Sequence, residues 1–198
     1  SHIFGDNPQH NITMAYRVST QPRTNDSKTE YSIAEMPAYN QTDKNNMLEN
    51  TVQLDYAKPI DEHNTIELGG KYVWRNSTSR SDLLDYEHKS SIGALYGVYG
   101  FSYDKYSVKG GIRYEHTSLD VAYKKGNGDD FSLDYDNFVP NLTLSYSPTP
   151  TQNVSLGYNM RISRPGISVL NPYRNTQDIN NVSYGNPELE IEKVNNVQ

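Results

Sequence analysis

The chain has 198 residues, of which 34% are apolar, with a mean hydropathy of -0.82 and a formal net charge of -6. That length suits one domain with at most a small second one, and the acidity argues against a nucleic-acid partner, whose phosphates select basic surfaces. The absence of cysteine excludes a disulfide framework, a thiolate metal site and a Cys nucleophile, and no run approaches the ~18 apolar residues of a membrane helix. No leader with a basic and then an apolar region opens the sequence, so it reads as a mature or partial chain. Tyrosine dominates the aromatics, at 17 against four Phe and one Trp. A ring with a polar tip suits a boundary between apolar and wet surroundings, such as a membrane interface. It equally suits the faces of a soluble sheet.

Taken in chain order, the period is two almost throughout. Ile12, Met14, Tyr16 and Val18 alternate with polar neighbours, as do Val52, Leu54 and Tyr56. Ile66, Leu68, Gly70, Tyr72 and Trp74 stand opposite Glu67, Gly69, Lys71 and Arg75; Val108, Gly110, Ile112 and Tyr114 stand opposite Lys109, Gly111, Arg113 and Glu115. Leu142, Leu144 and Tyr146 follow, then Val154, Leu156, Tyr158, Met160 and Ile162 opposite Arg161 and small polar residues. Successive side chains leave a strand on opposite faces, so these runs predict half-buried strands. No segment holds a 3.6-residue period. The chain is predicted to be all-β.

Strand length and loop order favour a membrane barrel over a soluble sandwich. The runs 64–76, 90–103, 105–117 and 152–163 exceed the ~5–6 residues usual in globular sheets and match the ~9–11 that cross a bilayer when tilted. Links alternate between short (58–63, 103–105, 147–151) and long and polar (20–45, 77–89, 118–136, 164–190). An up-and-down outer-membrane barrel has short periplasmic turns and longer extracellular loops. On that reading the strands near 46–57, 90–103 and 138–147 run down from the outside, while 64–76, 105–117 and 152–163 run up. Residues 164–190 form an extracellular loop and a new downward strand begins near Val194. Lys71, Arg75, Lys109, Arg113 and Arg161 are then predicted to face a wet lumen.

Catalytic chemistry has little support. The histidines (His2, His10, His63, His88, His116) lack metal spacing, and no HExxH, Gly-x-Ser-x-Gly or phosphate loop occurs. Glu115-His116 allows an acid–base pair but is better explained as an exposed strand end. Asp129, Asp130, Asp134 and Asp136 gather the oxygen ligands a hard cation such as calcium takes; the EF-hand spacing is missing, and a solvated acidic loop is the simpler reading. Tyr86, Tyr123, Tyr135, Tyr173 and Tyr184 are candidates for stacking on a sugar ring or peptide, with Asp82, Arg164 and Arg174 supplying hydrogen bonds. The competing role for these tyrosines is in girdles or loop packing.

Five motifs in order then carry a resemblance over 53–198: "LDYAKPIDEHNTIELGGKY" (54–72), "GGIRYEHT" (110–117), "FVPNLTLSYSPTPTQNVSLGYNMRISRP" (138–165), "LNPY" (170–173) and "GNPELEIEKVNN" (185–196). In these the chain resembles the outer-membrane β-barrel region of TonB-dependent receptor-like proteins, of the type common in Bacteroidetes. It departs from them at Ile191, where the family has Pro. The resemblance implies a segment of about eight to nine strands of a larger, 22-stranded antiparallel up-and-down barrel. All of 1–198 would belong to that barrel domain, the plug and closing strands lying elsewhere in a longer chain. It further implies the outer membrane of a Gram-negative bacterium, with extracellular loops that bind a nutrient. Energy would come from a TonB-type partner through an N-terminal part, a surface lipoprotein is a further partner, and no cofactor or covalent chemistry is expected. The alternatives are a non-transporting scaffold or surface-docking barrel and, further off, a soluble β-sandwich adhesin.

Overall fold

The structure, a computed structural model, describes residues 1–5, 7–29, 39–126, 128–173, 175–178 and 181–198. In chain order its elements are β1 (His2–Ile3), β2 (Asn11–Thr29), β3 (Tyr39–Pro59), β4 (Asn64–Arg80), β5 (Asp85–Tyr103), β6 (Tyr106–Lys125), β7 (Phe131–Thr149) and β8 (Gln152–Ser163). A short helix α1 (Ile167–Leu170), β9 (Asn175–Asp178), β10 (Asn181–Ser183) and β11 (Glu192–Val197) complete them. One antiparallel sheet holds nine strands in the order β1-β2-β3-β4-β5-β6-β7-β8-β11, while β9 and β10 pair separately. Each strand lies beside its predecessor, as in an up-and-down meander. Among the described residues β1 and β11 do not pair with each other, so the sheet is open.

The up and down directions follow the expected alternation, but the long polar links do not. Segments 77–89 and 118–136 are mostly strand: β4 and β5 pair without a break from Asn64↔Phe101 to Arg80↔Asp85, and β6 pairs with β7 up to Val121↔Phe131. The strands leave just 81–84 and 126–130 between them. Likewise β2 runs to Thr29 and β3 resumes at Tyr39, where a loop over 20–45 was expected. At the other end the turns are short as predicted. Asp61 caps one of them, its Oδ1 accepting from the backbone N–H of His63 and Asn64 at 2.8 Å each. Asp104 turns another in the left-handed region at φ 48, which Asp tolerates well.

Why the links look like loops in sequence but fold as strand lies in the side-chain pattern. Through the lower part of each strand the apolar side faces outward. Met14 is 69% exposed, Leu95 68% and Leu156 56%, all on one face. From Ile66 to Trp74, or Tyr106 to Tyr114, this band covers about 27 Å of strand, and a tilt of ~40° makes it roughly 20 Å tall. Aromatic rings edge it on both sides. Tyr16, Tyr72 and Trp74 cluster at 5.8–6.5 Å and Tyr114 meets Phe138 at 5.2 Å along one edge; His63 and Tyr103 at 5.1 Å and Tyr106 and Tyr146 at 4.9 Å mark the other. Above the upper ring the pattern inverts. On β6 His116, Asp120 and Lys124 now face outward, while Leu119 and Val121 turn inward and are buried. On β7 Asp134 and Asp136 are exposed while Phe131, Leu133 and Tyr135 are inward and partly covered. A strand in lipid needs its grease outside, whereas a strand in water needs it inside.

What covers that inward apolar surface is the segment after β8. Leu170 on α1 is 1% exposed and packs with Leu119 and Val121, flanked by Tyr86, Tyr123, Phe131, Leu133 and Ile167. Backbone bonds lock the segment to its returning limb, from Gly185 N–H to Asn171 O at 2.7 Å and from Asn186 N–H to Val169 O at 2.8 Å. Gly185 permits this, since a Cβ there would lie 2.5 Å from Val169 O. The small apolar cluster of the described residues thus sits above the membrane band; within the band Ala94 is buried on the inner face without such a cluster around it.

Candidate functional site

The inner face of the strand extensions and the folded-in segment 164–170 enclose a cleft of ≈ 470 Å³. Register rows place its wall. Arg75 pairs with Ser90, which pairs with Leu119; one row higher, Ser77, His88 and Val121 align; one row lower, Val73, Ile92, Thr117 and Tyr135 do. All are inward positions, alternating with outward polar ones. β2 and β3 supply the far rim through Gln21, Arg23 and Asn45.

A polar network fastens the cleft floor. Arg164 donates from Nε to Thr117 Oγ1 at 3.0 Å and from Nη2 to Glu115, whose other oxygen accepts from Arg113. Glu115 is 8% exposed, so this is a carboxylate held inside the wall by two guanidinium groups. Losing either would leave a poorly solvated charge short of a partner. Arg113 also lies over the Tyr96 ring, 5.2 Å from its centre. Tyr96 in turn donates to Asp55, which accepts from Gln53 Nε2 at 2.8 Å. The ring can pack there because residue 69 is glycine: a Cβ would come 2.3 Å from Tyr96 Cε2 and 2.6 Å from its hydroxyl oxygen.

The five predicted lumen cations all lie on this inner face, but three of them are not bare charges. Arg75 is paired with Glu49 through Nε at 2.9 Å and through Nη2; Lys109 meets Glu67 at 2.9 Å; Arg113 is held by Glu115. Lys71 is half-buried in the Gln53–Ala94 row, and Arg161 is exposed opposite Val194. The wall is therefore a mosaic of paired ions rather than a positive lining.

Of the predicted ligand contacts, Tyr86, Tyr135 and Arg164 line the cleft. Tyr123 stands behind them, 5.7 Å from the Tyr86 ring, and donates to Asn171. Burial, then the neighbouring Tyr86 and Asp130, push its hydroxyl up to about 12. Tyr173 and Tyr184 border a second, smaller cleft of ≈ 260 Å³ with Ser81 and Leu84. Asp82 is exposed in the 81–84 turn, its carbonyl accepting from Lys125. Arg174 lies outside the described residues. The aspartates of the calcium candidate are not brought together. Asp130 accepts from the Tyr123 N–H at 2.7 Å, Asp129 is exposed, and Asp134 and Asp136 flank His116 on the outer face at 4.0 and 2.9 Å. Among the described residues no group of three or more His, Cys, Asp or Glu is placed to hold a metal.

Glu115 and His116, adjacent in sequence, point through opposite faces. Glu115 is buried in the wall while His116 is exposed outside, and β6 runs on to Lys125, so the expected exposed strand end is not found: both residues lie mid-strand and only His116 is exposed. Sequence reasoning also missed His88. It borders the cleft with its Nε2 buried and unpartnered among the described residues. Burial and then the nearby Arg75 hold its pKa below the ordinary histidine value, so it is neutral at pH 7. The inverted pattern Leu119-x-Val121-x-Tyr123 is the signal that would have found this wall.

No curated protein is similar enough to this chain to count as a relative. The model of the outer membrane protein beta-barrel family matches residues 2–198. With its lipid-facing strands, two aromatic girdles and up-and-down order, the chain belongs to that family and is a protein of the Gram-negative outer membrane.

Proposed function

We propose that this chain is part of the wall of an outer-membrane receptor that imports a nutrient, the ligand first lodging in the cleft beneath the folded-in segment. The observation that carries this reading is the segment 164–170 itself. It leaves β8 and turns inward over the inner face, where it roofs a cleft of ligand-sized volume instead of projecting into the medium. A barrel that served only as a docking surface would have no use for a roofed inner cleft. Coupling to a TonB-type energy-transducing protein, completion of the barrel by further strands around a plug, and a lipoprotein at the mouth extend this reading. They rest on the ordered motifs of the sequence. The barrel carries no covalent chemistry in this scheme; its residues bind and release.

The test is made on the native source. Spent medium of wild-type cells is compared with that of a deletion strain, with and without a protonophore. A solute that only wild-type cells deplete, and only while energised, supports coupled import. Depletion that survives the protonophore overturns the coupling. Identical media from both strains overturn import and favour the surface scaffold.

A further inference from the structure

The charge of the cleft does not match the charge of the chain. The whole chain carries a net -6, yet among the described residues the cleft is bordered by Arg23, Arg75, Arg164 and His88 and by no carboxylate. The carboxylates that pair with two of these arginines approach from one side only. Arg75 spends Nε and Nη2 on Glu49, and Arg164 spends Nε on Thr117 and Nη2 on Glu115. Each guanidinium therefore keeps Nη1 unengaged among the described residues. A planar fork held by one edge is pre-aimed to offer the other to a second anion. His88 Nε2, one row above Arg75 on the adjacent strand, is the unpartnered polar atom beside it.

The rest of the wall mixes hydroxyl and amide side chains, such as Ser77, Ser90 and Asn46, with an apolar and aromatic patch. Tyr86, Leu119, Ile167 and Leu170 form one side, and Tyr135 closes it from β7. Aromatic faces accept ring C–H surfaces, and arginine ends accept carboxylates. The volume of ≈ 470 Å³ lies within the ~300–1,000 Å³ of small-molecule sites.

We propose that the cleft binds a small carboxylate carried on a single ring, with the carboxylate between Arg75 and His88 and the ring against Tyr86 and Leu119. Arg164 faces the far side of the ring, where it meets hydroxyl groups or a second acid. This deepens the receptor reading by naming a ligand class. It also gives a use to the guanidinium edges left unengaged, among the described residues, beneath the folded-in segment.

The experiment is calorimetric titration of the native protein, purified from its outer membrane in detergent, with three probes: sodium glucuronate, glucose and sodium phenylacetate. Glucose keeps the ring and removes the charge; phenylacetate keeps the charge and changes the ring. The expected result is that at least one carboxylate binds about tenfold or more tighter than glucose and weakens as salt is raised. Glucuronate preferred over phenylacetate assigns a sugar acid, and the reverse assigns an aromatic acid; either supports the proposal. His88→Leu, which fills the position without a polar atom, and Arg23→Gln at the rim are each expected to lower carboxylate affinity several-fold without altering glucose. Glucose binding as tightly as both acids, no binding of any probe, or carboxylate affinity indifferent to both variants overturns it. Energised uptake that persists while these titrations fail would overturn the ligand class alone. Titrations that succeed in a protein without uptake would overturn import alone.

Discussion

Leu170→Ala separates the folded-in segment from the wall it covers. Leu170 is 1% exposed and forms a three-residue core with Leu119 and Val121, flanked by Tyr86, Tyr123, Phe131, Leu133 and Ile167. Removing a buried leucine costs ~2–5 kcal/mol through lost transfer energy and the residual cavity. Because this core lies above the lipid band, the cost falls on local opening of 164–171 rather than on the nine-stranded sheet. Taking ~3 kcal/mol, opening becomes roughly 100-fold more frequent at 1.4 kcal/mol per decade. The polar anchor from Arg164 to Glu115 remains, so the segment loosens at its tip and stays tethered at its root. Hydrogen exchange in detergent reads this directly at the amides of Val169, Leu170 and Asn171, which bond to Gly166 and Ile167 carbonyls at 2.9–3.2 Å. They should lose protection by that factor while amides of β4 to β6 within the band keep theirs. Unchanged protection at 169–171 would refute the reasoning. So would equal loss along β8, which would show that segment and barrel open as one unit.

Three further outcomes follow from the same structure. Leu142→Arg, on the outward face midway between the girdles, should destabilise the protein in vesicles by ~2–4 kcal/mol, whereas inward Thr143→Arg should stay within about 1 kcal/mol; equal costs measured by denaturant titration would contradict the face assignment. Asn137 is 1% exposed with both amide atoms unpartnered among the described residues, so Asn137→Leu should raise stability by ~1–3 kcal/mol, and a lowered denaturation midpoint would mean the amide does have a partner. Tyr123, whose hydroxyl is pushed up to about 12 chiefly by burial, favours the folded state while neutral. Its contribution is complete below its unfolded value near 10 and is lost as pH rises through 12. Ultraviolet titration should therefore show a late tyrosine that disappears in Tyr123→Phe.

Alternation made the spanning part of the fold legible from sequence, because lipid allows one answer about which face is apolar. Val154 to Ile162 against Arg161 gives β8 with both its ends correct. The same reasoning failed above the membrane because the solvent changes there and the pattern changes hands. Leu119, Val121 and Tyr123 occupy the parity that carried Arg113 and Glu115 lower down, so a reader following one face sees the alternation stop and writes a loop. The candidate site was legible in its aromatic parts, since Tyr86 and Tyr135 do reach one cleft. Its polar parts were not. Arg164 reaches back 49 residues to Glu115, and His88 sits in what reads as a loop. Such pairings depend on the loop folding inward, which no local spacing encodes.

The exchange of apolar faces along each strand also fixes how deep the protein sits. Lowering β6 by one pleat, about 7 Å of strand, would carry His116 into hydrocarbon; raising it by the same step would lift Tyr106 out of the opposite girdle. A single apolar band can be met by tilting, but a band followed at once by its inverse leaves no slack in either direction. A bilayer thicker than this band must therefore thin at the rim of the protein, and the mismatch is borne by the lipid.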